Sequence, residues 1–140
     1  MQRSTRTALI VAAVALVGGR PAVAGSPVDI QRLLEAEARR ATPAFTGFSA
    51  ERGGQFFNAR HGGDWNCATC HTSDPRRPGR HAATGKDIAP LAPAANPERF
   101  TTASTVEKWF RRNCNDVLGR ACTPLEKGDV LAWLLSLGGR

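Results

Sequence analysis

Two stretches of the chain place apolar residues at helical spacing. The first starts with Ser26 as a cap and Pro27 as the first helical residue, and Pro43 ends it. Its buried stripe is predicted to consist of Ile30, Leu33, Leu34 and Ala38. The second follows a capping box that starts at Thr123, and its apolar face consists of Val130, Leu131, Leu134, Leu135 and Leu137. These patterns predict the first and last helices of the protein.

A second predicted helix begins after the cap residue Ser49 and runs to about Arg60. It contains Gly53 and Gly54, which each weaken a helix by roughly 1 kcal/mol relative to alanine. We therefore expect these glycines to allow close backbone approach to another helix or to a bound group.

A third helix is predicted from Thr105 to about Asn113, opened by a capping box at Ser104. Residues 61–97 have little periodicity and many glycines and prolines, and the chain shows neither strand signals nor an internal repeat. The predicted fold class is all-α with loops. A stretch as long as 61–97 is unusual for a loop without structure or function, so we expect it to fold against an apolar group.

Residues 1–24 have the features of an export signal. Arg3 and Arg6 precede an apolar run over residues 7–17, and small residues at 22–24 form a cleavage site. The run is shorter than the roughly 20 residues that span a bilayer, and nothing later repeats it. We predict a single domain over residues 25–140, exported to the periplasm, with no membrane span in the mature chain.

The charge balance changes once the signal is removed. The chain has 19 Lys and Arg against 12 Asp and Glu, for a net charge of +7. Three basic residues leave with the signal and no acidic residue does, so the mature charge is +4. We therefore do not predict nucleic-acid binding, whereas a mildly basic face for an acidic redox partner is compatible with this charge.

Cys67, Cys70 and His71 form a motif typical of covalent haem attachment. Two thiols three positions apart can add to the two haem vinyl groups, and the next residue then turns its imidazole onto the iron. A zinc site would need two more ligands at suitable spacing, and a redox dithiol would usually lie beside a strand and a helix. The motif predicts a cytochrome c-like fold around one covalent haem c, with zinc or a dithiol as the alternative.

The ligand on the other side of the iron is not obvious from the residues alone. The usual methionine is excluded, because the only methionine is Met1, and there is no tyrosine. His61, His81, a spare thiolate, an amide or no ligand at all remain. Cys114 and Cys122 are eight residues apart, and an oxidising compartment favours a disulfide between them over thiolate ligation.

Several runs of residues carry a resemblance to a known family. They are residues 49–57, the haem motif 67–71, TGK at 84–86, IAPLAP at 88–93, NPERF at 96–100, VEKWFRRNC at 106–114, GRAC at 119–122 and EKGDV at 126–130. With this ordered set the chain resembles the sphaeroides haem protein family, SHP, of small exported high-spin c-type cytochromes. The resemblance covers most of the mature chain and implies that Asn113 coordinates ferric iron and leaves on reduction. Without it, Asn113 would be interpreted as a helix-terminal residue bonded to the backbone.

The resemblance further implies a function. We expect a periplasmic monohaem cytochrome that accepts an electron and, on releasing Asn113, binds or reduces O₂ or NO, with a dihaem cytochrome c and a membrane cytochrome b as electron donors. The alternatives are a plain electron carrier and a gas sensor or store without turnover. We expect no hydrolytic or transferase chemistry, and treat reductase activity as open.

The remaining candidates are residues that would contact the haem. Basic side chains able to pair with its propionates are Arg60, Lys86, Arg99, Arg111 and Arg112, although solvated surface charge is the alternative for each. The aromatic residues expected in the core or against the haem are Phe56, Trp109 and Phe110.

Overall fold

The computed structural model describes residues 25–138. The predicted signal peptide, residues 1–24, lies outside the described residues, and the single domain over 25–140 stays a prediction. The elements in chain order are α1 (Pro27–Ala41), α2 (Ala50–Asn58), α3 (Cys67–His71), β1 (Gly79–Arg80), β2 (Asp87–Ile88), α4 (Ala103–Leu118) and α5 (Pro124–Ser136). The predicted helical class is confirmed. No helix within 25–138 has the length and apolar composition needed to cross a membrane.

The first helix forms where the sequence predicts it. The Ser26 hydroxyl accepts a hydrogen bond from the Asp29 backbone amide, and the Asp29 carboxylate accepts one from the Ser26 amide. This capping box satisfies two amides that a helix start leaves without partners. The buried side of α1 carries Ile30, Leu34 and Ala38, whereas Leu33 is exposed. The predicted stripe is therefore correct at three of its four positions.

Helix α5 is the central element of the core. It packs against both α1 and α2, and its Leu131 and Leu134 side chains are fully buried. Leu131 joins Ile30, Leu34 and Val106 in one apolar cluster. Leu134 and Val130 join a second, which we call the haem-side cluster because the helix bearing Cys67 packs against it; its buried members are Phe57, Ala92, Val130 and Leu134.

The predicted role of Gly53 is confirmed at the contact between α2 and α5. A Cβ atom on Gly53 would lie 1.9 Å from the Asp129 carbonyl oxygen, so only glycine allows the two backbones this close. The buried Asp129 carboxylate accepts hydrogen bonds from the Ser49 amide at 2.7 Å and from Arg52 Nε and Nη2 at 2.7 and 2.8 Å. These bonds give the buried charge the partners it requires.

We expect Gly53→Ala to lower the free energy of unfolding by about 2–3 kcal/mol, because α5 must move away from the added methyl group. Alanine favours a helix over glycine by roughly 1 kcal/mol, so a loss cannot come from helix propensity. Urea unfolding of the haem-loaded protein measures the change. Gly63→Ala is the matched control, because the nearest atom to its Cβ would be 3.8 Å away. Equal stability of the two variants would contradict the proposed contact.

The predicted bounds of the third helix are wrong at both ends. Helix α4 begins at Ala103 with Thr102 as its cap residue, and no side chain caps it, so Ser104 does not form the predicted capping box. The Gly25 amide donates a hydrogen bond to the Thr101 carbonyl oxygen, just before the helix begins. The helix continues to Leu118, and Gly119, at a φ of +67°, ends it. Asn113 therefore lies inside the helix rather than at its end.

Residues 61–97 contain more regular structure than the sequence predicts. The short helix α3 and the antiparallel pair β1 and β2 both fall in this stretch, with Gly79 opposite Ile88 and Arg80 opposite Asp87. Each strand has two residues, too few for a periodic pattern to reveal it.

Candidate haem-binding site

Helix α3 holds the three residues of the haem motif in little more than one turn. Its cap is Asn66, whose side-chain oxygen accepts from the Thr69 amide at 2.8 Å while the Thr69 hydroxyl accepts from the Asn66 amide at 3.0 Å. Asn66 Nδ2 also donates to the Asn58 carbonyl at 2.7 Å, which joins α3 to the end of α2. The chain leaves the helix through Thr72 at a φ of +63°. These contacts fix Cys67 and Cys70 on a rigid segment.

The β-hairpin packs directly on the end of α3. A Cβ atom on Gly79 would lie 2.0 Å from the Cys70 carbonyl oxygen, so this position requires glycine. The Ala82 amide donates to Cys70 Sγ at 3.3 Å. Sequence reasoning missed this support, because the signal for it is a single glycine among many.

The two cysteines of α3 are free, half-buried thiols. Burial, with a smaller contribution from the nearby Cys70, raises the pKa of Cys67 to about 11. A redox dithiol works through a thiolate, which such a pKa disfavours. Among residues 25–138 there is no group of three or more His, Cys, Asp or Glu side chains placed to hold a metal ion, so a zinc site here lacks ligands.

His71 is half-buried beside the aromatic ring of Phe57, with 6.2 Å between ring centroids. Burial, together with smaller electrostatic effects of Arg99 and His81, lowers the pKa of His71 to about 4. The imidazole is therefore neutral around pH 7, the protonation state in which a histidine binds iron.

The haem-side cluster provides an apolar wall beside the motif. Cys67 and Ala68 pack against this cluster, and so does Phe110, which lies one turn before Asn113 on α4. Phe56 and Trp133 also pack there, and Trp133 lies 4.8 Å from Phe57 between ring centroids. The prediction that Phe56 and Phe110 belong to the core agrees with this, whereas Trp109 is 45% exposed.

The residues present fit a haem of the c type. Two free thiols three positions apart and a neutral imidazole lie on one short helix, next to aromatic side chains that are only partly buried. These are the donors that thioether attachment and one iron bond require. Cys67, Cys70 and His71 would hold the group.

The two other histidines have hydrogen bonds of their own. His61 Nε2 lies 2.9 Å from the Phe56 carbonyl oxygen, and its ring is tilted against the Phe56 ring with 4.4 Å between centroids. His81 Nδ1 accepts from the amides of Ala83 and Thr84 at 3.2 and 3.3 Å. Both imidazoles are half-buried and lie within hydrogen-bonding distance of backbone atoms.

Asn113 lies in the interior of α4 and is half-buried. Within residues 25–138 its side chain makes no hydrogen bond. The alternative interpretation, an asparagine at a helix end bonded to the backbone, therefore does not describe this residue. Asparagine is also a poor helix former, so helix propensity does not explain its presence at this position.

Cys114 and Cys122 form a disulfide in the structure, with their Cα atoms 5.6 Å apart. The bond joins the residue after Asn113 to the loop before α5. Both cysteines are buried. The disulfide therefore holds this part of α4 against the rest of the protein.

The candidate propionate partners differ in their surroundings. Arg60, Lys86, Arg111 and Arg112 are exposed. Arg99 is half-buried and donates to the carbonyl oxygens of Pro90 at 3.0 Å and Ala89 at 2.8 Å. No residue pattern indicates these two hydrogen bonds, since the partners of Arg99 are backbone atoms.

Known proteins resemble this chain in sequence and in structure. A family model described as a domain of unknown function (DUF1924) matches residues 43–134. Cytochrome c-type protein SHP of Cereibacter sphaeroides is 46% identical over 132 residues, covering 91% of this chain and 97% of that protein. A structure of oxidized SHP, described as an oxygen-binding cytochrome c, matches 80% of this chain and 97% of its own with a TM-score of 0.71 at 46% identity. The solution structure of cytochrome c'' from Methylophilus methylotrophus is described as giving insight into haem-ligand detachment. The match covers 81% of this chain and 94% of that protein, with a TM-score of 0.71 at 37% identity.

The helical fold, the donor set on α3 and these relatives define a c-type cytochrome with a c-type haem. The identity extends over nearly the whole length of the SHP protein. The chain belongs to the SHP family of cytochromes, as the sequence motifs predicted.

Proposed function

We propose that the protein is exported to the periplasm, where it carries one haem bound covalently through Cys67 and Cys70. His71 binds the iron on one side, and Asn113 binds it on the other in the ferric state. On accepting an electron the protein releases Asn113 and binds or reduces O₂ or NO. The observation that carries this proposal is the placement of two free thiols and a half-buried imidazole on α3, beside the haem-side cluster that Phe110, one turn before Asn113, also contacts.

The chemistry of the amide explains why Asn113 leaves. The haem supplies an iron that changes between Fe(III) and Fe(II). The asparagine oxygen is a hard, neutral and weak donor, which suits Fe(III) better than the softer Fe(II). A weak ligand competes poorly with a diatomic π-acceptor, so reduction favours exchange of Asn113 for the gas.

The position of Asn113 limits how it can move. Its backbone is helical for five residues beyond it, and the disulfide at Cys114 anchors the same turn. We infer that the ligand leaves by rotation of the Asn113 side chain, with α4 kept intact. Such a local change is faster than melting a helix and keeps the core closed.

Two relatives support this function. SHP is described as an oxygen-binding cytochrome c, and the cytochrome c'' structure is described in terms of haem-ligand detachment. For this chain we propose a dihaem cytochrome c, supplied by a membrane cytochrome b, as the electron donor. The disulfide of the structure is compatible with an oxidising compartment such as the periplasm.

We expect the reduced protein to bind CO in a single rapid phase, measured by flash photolysis. Supplied with a reductant, it should then consume O₂ or NO over many turnovers, measured with gas electrodes. CO binding without turnover would indicate a gas sensor or store instead. If the reduced protein bound no CO, the gas-binding function would be wrong and a plain electron carrier would remain.

A further inference from the structure

Helix α4 exposes three cationic side chains and one tryptophan to solvent on the side away from the core. We call these four residues the α4 basic face: Lys108, Trp109, Arg111 and Arg112. All four are exposed, whereas Val106 and Phe110 on the other side of the helix pack into the core. Lys108 Nζ lies 5.9 Å and Arg112 Cζ 5.2 Å from the centroid of the Trp109 ring. An exposed aromatic ring beside cationic side chains is typical of interaction surfaces.

The charges of this face are not neutralised within the protein. In residues 25–138 none of Lys108, Arg111 and Arg112 forms an ion pair. Seven cations elsewhere in this range pair with carboxylates, namely Arg32, Arg39, Arg52, Arg76, Arg80, Arg120 and Lys127, whereas Arg40, Arg60, Arg77, Lys86 and Arg99 do not. Glu107, next to Lys108, is paired with Lys127 and does not offset the face. The face therefore keeps a local positive potential that an acidic partner can complement.

A cleft of about 330 Å³ opens beside the same face. It is lined by Arg111, Arg112, Asn115, Asp116 and Ala121. Asp116 is its single acidic residue. Two arginines at the rim can bind a carboxylate side chain of a partner through charge-assisted hydrogen bonds.

The face also lies next to the proposed iron ligand. Trp109 precedes Asn113 by four residues, which places the two side chains on adjacent turns of one side of the helix. Arg112 is its direct neighbour in the chain. A partner seated here would therefore lie close to the site where an electron is needed.

We propose that the α4 basic face is the docking surface for an acidic electron-transfer protein that reduces this cytochrome. A haem held by Cys67, Cys70 and His71 would accept the one electron that the reduced partner gives up. This inference rests on the proposed function, since it requires a redox-active haem. An anionic membrane is a weaker fit, because a helix lying on a membrane needs an apolar face beside its basic residues and the apolar side of α4 is turned inward.

The test uses stopped-flow reduction of the ferric haem-loaded protein by reduced flavodoxin, an acidic flavin protein. We expect Lys108→Glu to lower the second-order rate constant roughly tenfold at about 10 mM salt, and the difference to vanish near 0.5 M salt. Trp109→Ala should lower the rate at both salt concentrations, since it removes contact area rather than charge. Arg40→Glu is the control, because Arg40 is exposed on α1 and the substitution changes the net charge equally.

Photogenerated lumiflavin semiquinone, a small neutral reductant, should reduce all variants at the same rate. Equal effects of Lys108→Glu and Arg40→Glu on reduction by flavodoxin would overturn the docking surface. So would Lys108-dependent binding to phosphatidylglycerol vesicles without a change in those reduction rates, which would assign the face to a membrane. A wild-type protein that lumiflavin cannot reduce, or that binds no CO once reduced, would instead refute the proposed function.

Discussion

Replacing both cysteines of α3, as Cys67→Ala with Cys70→Ala, should abolish covalent haem attachment. Each thioether needs a cysteine sulfur, and among residues 25–138 the other two cysteines are joined in a disulfide. Protein matured with the export and haem-attachment machinery should then lack the mass of one haem under denaturing conditions. The wild type should carry the mass of one haem, which also tests the proposed count.

The pair Cys114→Ala with Cys122→Ala is the matched control, because it also removes two cysteines. It should keep the covalent haem and lose roughly 2–3 kcal/mol of stability, which a disulfide closing so short a loop contributes on the chain-entropy estimate. Covalent haem in the Cys67 and Cys70 variant, or its loss in the control, would contradict the assigned roles.

Asn113→His should convert the iron to a low-spin state in both oxidation states. Imidazole is a stronger ligand than an amide and competes well for Fe(II). The gas can then bind only after the imidazole has dissociated from the iron. We expect CO association with the reduced variant to slow by roughly 100-fold or more, because only the fraction with a free position can bind. Optical spectra and flash photolysis measure both effects.

Asn113→Ala tests whether the Asn113 side chain itself is the iron ligand. This variant has no side chain to bind the iron, so the ferric spectrum should change while rapid CO binding to the reduced protein is kept. Asn115→His is the control, since Asn115 lies on the exposed side of the same helix. Unchanged spectra and CO rates in both Asn113 variants would show that Asn113 is not the ligand, and His61 and His81 would then be tested in the same way.

The sequence predicted the parts of the fold that depend on local signals. The capping boxes of α1 and α5 and the apolar spacing along both helices were sufficient to place them, because caps and periodicity act within a few residues. The start of α4 was misplaced because the pattern at Ser104 resembles a capping box, whereas the helix begins at Ala103 without a side-chain cap. A helix start without a capping side chain leaves no such local signal in the sequence.

The candidate site also has features that the sequence predicts and features that only the structure shows. The haem motif could be read from three residues, and the structure adds what holds them, namely the Asn66 cap, the hairpin at Gly79 and the haem-side cluster. The role of Asn113 came from family resemblance alone. Its sequence-based place at a helix end was wrong, because α4 continues for five residues beyond it.

The central claim is that Asn113 binds ferric iron and leaves on reduction. Resonance Raman spectroscopy of the wild-type protein in both oxidation states tests it most directly, since the spectrum reports the number of iron ligands. The account predicts a six-coordinate ferric form that differs from the ferric form of Asn113→Ala, and a five-coordinate high-spin ferrous form that the two proteins share. A six-coordinate low-spin ferrous wild type, or ferric spectra identical in the two proteins, would contradict it.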